Sequence, residues 1–208
     1  MKMADPDSTS EAPRRMRSFI AIPLPAASRE VLTGWQDRAL GEGLRGIAAA
    51  NLHITLAVLG ERDRDELDRA GGALRAAVRA VTAVGVSLTG DPIGMPRRRP
   101  RVIAFPVESP AMVRLRGALV AELAAAGIEL EDGRPFRPHL SVARVRDGER
   151  KRRHGGRRLP AFGGLAPLGG GGHTFDAVRV ALYRSELRSQ GARYGVLADV
   201  ELPRGSGG

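Results

Sequence analysis

Apolar residues in this chain alternate over short runs and recur at three- and four-residue intervals over longer ones. The change of period marks its elements. Residues 17–24 (Arg-Ser-Phe-Ile-Ala-Ile-Pro-Leu) form an apolar strand stopped by Pro23 and Pro25. Residues 26–40 have helical spacing at Val31, Leu32, Trp35 and Leu40, and 41–50 read as a loop. An apolar strand, Asn51-Leu-His-Ile-Thr-Leu-Ala-Val-Leu-Gly60, comes next. The spacing predicts a helix over 61–81 with Leu67, Ala70, Leu74, Ala77 and Val78 on one face. Gly71 and Gly72 weaken it by about 1 kcal/mol each. Residues 84–89 and 101–107 alternate as strands around a proline-bounded basic loop, 95–101. Ser109 then caps a helix with Pro110 at its first position and Gly127 at its stop. Met112, Leu115, Leu119 and Leu123 form its buried side.

A second strand with the first one's pattern, Pro138-His-Leu-Ser-Val-Ala-Arg144, continues to residue 145. Residues 146–173 are glycine-rich and basic with no apolar period, the mark of a mobile loop. Residues 175–187 alternate as a strand, and 194–202 make a closing one. Residues 1–16 read as a disordered tail and 204–208 as a flexible one, which leaves a single domain over 17–203. Each half of it holds one His-x-(Thr/Ser) strand. The fold expected is α+β: a bilobal, pseudo-symmetric pair of antiparallel sheets with outer helices and a central cleft.

Composition narrows the class. The chain has 208 residues, 42% apolar, enough for a real core. Without cysteine it has no disulfide, thiol nucleophile or cysteine-based zinc site. No apolar run reaches membrane-spanning length, and residues 1–13 lack a signal peptide's apolar segment. A cytoplasmic protein with no membrane partner is the expectation. The net charge is +10, and of the 33 basic residues all but Lys2 and Lys151 are arginine. Arginine suits bidentate phosphate contacts and base stacking. An arginine-biased composition spread over a solvated surface would give the same charge, so charge alone does not decide.

The paired motifs carry the chemistry. Alternate residues of a strand share a face, so His53 joins Thr55 and His139 joins Ser141, while Ile54, Leu56, Leu140 and Val142 turn to the core. One imidazole can take a proton from attacking water while another gives one to a departing oxygen. A hydroxyl on the same face can donate to a phosphate oxygen. Arg144, near the end of the second strand, could add a cationic clamp. Either histidine alone reads as a hydrogen-bonded structural residue; the repetition makes a site of them. A zinc centre competes weakly, since no cysteine or carboxylate stands at ligand spacing beside either. His154 and His173 lie in the basic loop and read as solvated. Residues 169–172 lack the strand and helix context of a nucleotide-binding loop and read as a hinge or linker.

With these residues in place the chain resembles the 2H phosphoesterase superfamily. Within it, the chain is similar to the RNA 2′,3′-cyclic phosphodiesterases, also called 2′-5′ RNA ligases. The similarity lies in residues 17–24, 51–60, 134–144 (Arg-Pro-Phe-Arg-Pro-His-Leu-Ser-Val-Ala-Arg), Leu182-Tyr-Arg-Ser-Glu-Leu and Gly191-Ala-Arg-Tyr, and covers about 17–202. The resemblance implies hydrolysis of an RNA or nucleoside 2′,3′-cyclic phosphate to the 2′-phosphate, without metal or cofactor. It implies His53 as proton donor, His139 as proton acceptor, Thr55 and Ser141 on the phosphate, Arg144 in support and Phe19 against the base. The implied partner is RNA or a nucleotide with a cyclic phosphate end, met by a monomer. Ligation of tRNA halves through a 2′-5′ bond, action on a small cyclic nucleotide, and a non-catalytic RNA-binding module are the alternatives. Two departures stand out: Ser141 replaces the commoner threonine, and Ala57 replaces a basic residue, removing one contact that the 146–173 loop could restore.

Overall fold

The computed structural model describes residues 15–97, 99–130, 135–146, 165–188 and 191–203. The strands are β1 (Met16–Pro23), β2 (Leu44–Gly46), β3 (His53–Arg62), β4 (Gly85–Thr89), β5 (Ile93–Met95), β6 (Val102–Glu108), β7 (His139–Val145), β8 (Gly172–Asp176), β9 (Arg179–Arg188) and β10 (Gly191–Glu201). The helices are α1 (Ala26–Ala39), α2 (Arg64–Val78) and α3 (Pro110–Ala125).

The strands pair antiparallel in the order β10-β9-β1-β3-β7-β6-β4-β8, with β2 on β7 and β5 on β6. One lobe holds β10, β9, β1 and β3; the other holds β7, β6, β4 and β8. The two halves join edge to edge through one residue pair, Ile54 with Leu140. Both side chains are fully buried, so the seam is apolar although its ladder is short.

Helix α2 begins at Arg64, later than its apolar period suggests. The chain stays extended through Arg62, and Asp63 caps the helix reciprocally with Glu66. Such an exchange satisfies two end-of-helix N–H groups. All five residues expected on its buried face are buried, as are the four of α3. In α1, Leu32 and Trp35 are buried but Val31 is 42% exposed, so the stripe is narrower than expected.

Three further expectations are corrected. Arg15 and Met16 are no part of a disordered tail: Arg15 bonds Glu61 O and Glu66 Oε2, and Met16 opens β1. The strand expected over 175–187 is two strands, β8 on β4 and β9 on β1, so the chain changes lobe at Ala177–Val178. Ala177 is buried and its N–H bonds Val84 O; with no glycine or proline there, nothing in the alternation marks the switch. The end of the basic segment is held as well. Leu168 is buried with its N–H on Gly90 O, and Trp35 Nε1 donates to Ala166 O. His173 sits in β8 with Nε2 3.0 Å from Ser28 Oγ, a partly buried contact rather than a solvated loop position. His154, most of the basic loop (147–164) and residues 1–14 and 204–208 lie outside the described residues.

Candidate active site

The two motif strands share a backbone device that alternation alone does not reveal. In β3 the register against β1 slips after Thr55, so that Leu56 has no partner; in β7 the register against β6 slips after Ser141 at Val142. Each slip inserts one residue and turns the strand by one position. Consequently both strands follow one burial order over their first seven residues: half-buried, buried, half-buried, two buried, exposed, buried. His53, Thr55 and Val58 face the cleft in one lobe, and His139, Ser141 and Arg144 face it in the other. Strict alternation would have put Arg144, three past Ser141, on the opposite face. The bulge brings it back.

The second bulge is fastened from α1. Gln36, 8% exposed, donates from Nε2 to Val142 O at 2.6 Å and to Ile47 O at 2.9 Å. The bulged carbonyl also accepts from Ile47 N–H at 2.9 Å. A buried carbonyl displaced from its ladder must find such partners. Gln36 was not singled out in the sequence; a buried glutamine in an apolar helix face was the available signal.

The imidazoles are fixed the same way. His53 Nδ1 lies 2.7 Å from Asn51 O, and His139 Nδ1 lies 2.9 Å from Arg137 O. A carbonyl only accepts, so Nδ1 carries the hydrogen and Nε2 is the nitrogen left for chemistry in each ring. Asn51 is itself held by donating from Nδ2 to Ala192 O at 2.9 Å.

Their surroundings differ. His53 packs against Phe19, centroid to centroid 5.0 Å, and against Tyr194 at 5.3 Å in an edge-on arrangement, and those two rings also touch each other at 4.9 Å. Phe19, 8% exposed, also stacks on Tyr183 at 5.2 Å. Burial pushes the His53 pKa below its ordinary 6.5; the Asn51 carbonyl opposes this, while His139 and Arg144 add to it. Tyr194 is thus a site residue that sequence reasoning quoted within a motif but gave no role.

The cleft so formed has a volume of about 480 Å³. Every candidate (Phe19, His53, Thr55, His139, Ser141 and Arg144) lines it, with Arg17 and Arg45 adding cations. Ala57, 3% exposed, packs in the core beside the bulge, so its side chain is not a lining group; Val58 takes that place. Among the described residues no three His, Cys, Asp or Glu side chains converge as metal ligands. Nor is any described helix long and apolar enough to cross a membrane.

Chemically, two imidazoles with free Nε2 atoms, two hydroxyls and an arginine around one cleft suit an anionic centre that gains and loses protons on opposite sides.

Comparison with known proteins points the same way. A family model described as the 2′-5′ RNA ligase superfamily matches residues 23–154. The RNA 2′,3′-cyclic phosphodiesterase of Escherichia coli (strain K12) is 34% identical over 131 residues, covering 62% of this chain and 71% of that protein. The protein of the same name from Thermus thermophilus is 30% identical over 200 residues, 90% of each chain. The crystal structure of E. coli LigT in apo form superposes with a TM-score of 0.70 at 25% identity, covering 92% of this chain and 99% of that one.

Proposed function

The chain belongs to the 2′-5′ RNA ligase superfamily, and from that premise we propose that its cleft hydrolyses RNA 2′,3′-cyclic phosphate ends to 2′-phosphates by paired-histidine acid–base catalysis. The observation that carries this reading is the matched pair of imidazoles, each fixed at Nδ1 by the carbonyl two residues earlier, with both Nε2 atoms left for one cleft.

In the reaction, His139 Nε2 takes a proton from water as the water oxygen bonds phosphorus. The P–O3′ bond breaks, and His53 Nε2–H gives its proton to O3′. The products are a 2′-phosphomonoester and a free 3′ hydroxyl, with the two rings left in exchanged protonation states. Thr55 and Ser141 donate hydrogen bonds to the non-bridging oxygens as charge gathers there, and Arg144 supplies a fixed cation. With the 5′ hydroxyl of a second RNA in place of water, the same exchange forms a 2′-5′ phosphodiester as the P–O3′ bond breaks and O3′ takes the proton, which accommodates ligation on the same residues.

A proton donor must be protonated before the step, yet burial, with smaller effects from the His139 ring and the Arg144 guanidinium, favours neutral His53. The bound phosphodiester is an anion and opposes all three effects, so substrate binding and protonation of His53 reinforce each other. Phe19 packs against the ring of His53, and Tyr194, half-buried at the cleft wall, offers the more accessible aromatic face to a base. Both histidines come from one chain, so a single copy of the protein carries the whole site.

The test is incubation with 2′,3′-cyclic AMP, and with an oligonucleotide bearing the same end, in excess chelator. The expected product is the 2′-phosphate in both cases. A 3′-phosphate product, or activity that disappears with the chelator and returns with a metal, would overturn the reading.

A further inference from the structure

A 2′,3′-cyclic phosphate closes the 3′ end of an RNA, so every other nucleotide of that RNA lies on its 5′ side and must leave the cleft by one of its walls. The two walls are unlike. Beyond His53 the wall offers Val58, 37% exposed, and Leu187, 81% exposed, and its charges are mixed: Arg184 pairs with Glu186, and Arg17 stands opposite Glu61 in the β1–β3 ladder. Beyond His139 the wall is cationic. Arg144 lies directly across from Arg45 in the β7–β2 ladder, so the two share the cleft face. Arg146, two residues on, continues that face where its N–H bonds Gly43 O. Past it comes the β5–β6 turn with Arg97 and Arg99, since β6 runs alongside β7 with Val102 across from Arg144.

All five arginines are exposed, and none forms an ion pair among the described residues. Glu42, in the turn before β2, pairs with none of them. From His139 to Arg146 the strand covers about 20 Å at the usual rise per residue. Unpaired arginines on a protein surface repel one another; their arrangement is favourable once a chain of phosphates runs beside them.

We propose that Arg45, Arg144 and Arg146, continued by Arg97 and Arg99, form a track for the sugar–phosphate backbone of the single-stranded RNA 5′ of the cyclic end. The enzyme's substrate is then an RNA terminus in preference to a free nucleotide. This rests on the hydrolase reading above for the position of the 3′ end.

The test compares wild type with the triple variant Arg97→Gln/Arg99→Gln/Arg146→Gln, none of which lines the cleft. Binding of 2′-AMP and of a short oligonucleotide ending in a 2′-phosphate is measured by titration at several salt concentrations. In the triple variant oligonucleotide affinity falls about tenfold or more, and the slope of log K against log salt flattens by about 2, near 0.7 for each charge removed. Affinity for 2′-AMP, and turnover of 2′,3′-cyclic AMP, stay at the wild-type level. An unchanged salt slope overturns the track. So does an equal flattening in the control Arg64→Gln/Arg75→Gln/Arg114→Gln, whose exposed arginines lie on the helices, because net charge would then explain the effect. Binding is read without turnover. Wild type that binds RNA on this track yet opens no cyclic phosphate keeps the track and removes the hydrolase reading; hydrolysis with no track effect does the reverse.

Discussion

Strands β3 and β7 have the same backbone course and different consequences. Both place a histidine, a hydroxyl and, after a one-residue bulge, a third side chain on the cleft face. In β3 that third residue is Val58 and the histidine is packed against Phe19 and Tyr194. In β7 it is Arg144, with Arg45 across from it. One wall therefore holds its imidazole in an apolar, partly desolvated setting, and the other carries exposed arginines further along the strand that bears its imidazole. The lesson is that a repeated backbone can set the spacing of two catalytic groups while single side chains, placed by the same bulge, make the groups unequal. Division of labour between acid and base needs that inequality.

The comparison breaks most severely at Arg144. Arg144→Ala lowers kcat/KM for the cyclic phosphate about 10²–10³-fold, the usual loss for one preorganised group at a developing charge. Val58→Ala, its counterpart, changes it by no more than about threefold. Comparable losses in steady-state kinetics would show that the walls are equivalent.

The seam between the halves comes next. Leu140→Ala removes one side of the single pair that joins β3 to β7 and costs about 2–5 kcal/mol in urea unfolding. A loss below 1 kcal/mol would mean the halves are held chiefly elsewhere.

Gln36→Leu probes the bulge itself. Leaving its carbonyl partners short of a donor costs about 1–3 kcal/mol, and kcat/KM falls about tenfold as Arg144 loses its fixed backbone. Recovery of activity in Gln36→Glu at low pH, where a protonated carboxyl can donate again, distinguishes positioning from stability alone. No recovery at any pH where the protein stays folded would remove Gln36 from that role.

The smallest effect concerns protons. His53 has a folded-state pKa below 6.5, its ordinary value. As pH falls through 6.5 the unfolded chain takes up the proton first, so stability declines with pH until the folded pKa is passed, and is unaffected by this group above neutrality. Tyr194→Ala opens the ring to water, raises the pKa toward 6.5 and narrows that window. Titration of the His53 ring signals by NMR checks the direction; a downward move in the variant would contradict the desolvation argument.

Much of this was legible in the residues. Period-two alternation placed His53 with Thr55 and His139 with Ser141, and the repetition identified the pair. The buried faces of α2 and α3 followed from helical spacing. What was hidden has a common cause: interactions with residues distant in the chain. The bulges depend on register against β1 and β6, and they alone put Arg144 on the cleft face and Ala57 in the core. The change of lobe at Ala177 and the burial of His173 against Ser28 depend on which sheet offers an edge. Short strands β2 and β5 exist because β7 and β6 have edges to pair. The Asp63–Glu66 capping box is readable in the residues, although the apolar period of α2 runs on across it.

That the two halves make one catalytic unit is tested most directly by a double-mutant comparison. The kcat/KM for 2′,3′-cyclic AMP is measured for His53→Ala, His139→Ala and the double variant. Each single substitution is predicted to lower it about 10²–10⁴-fold, and the double variant to fall little further, since removing either member of a cooperating pair disables the other. Losses that multiply in the double variant, or a single variant that keeps wild-type activity, would contradict it.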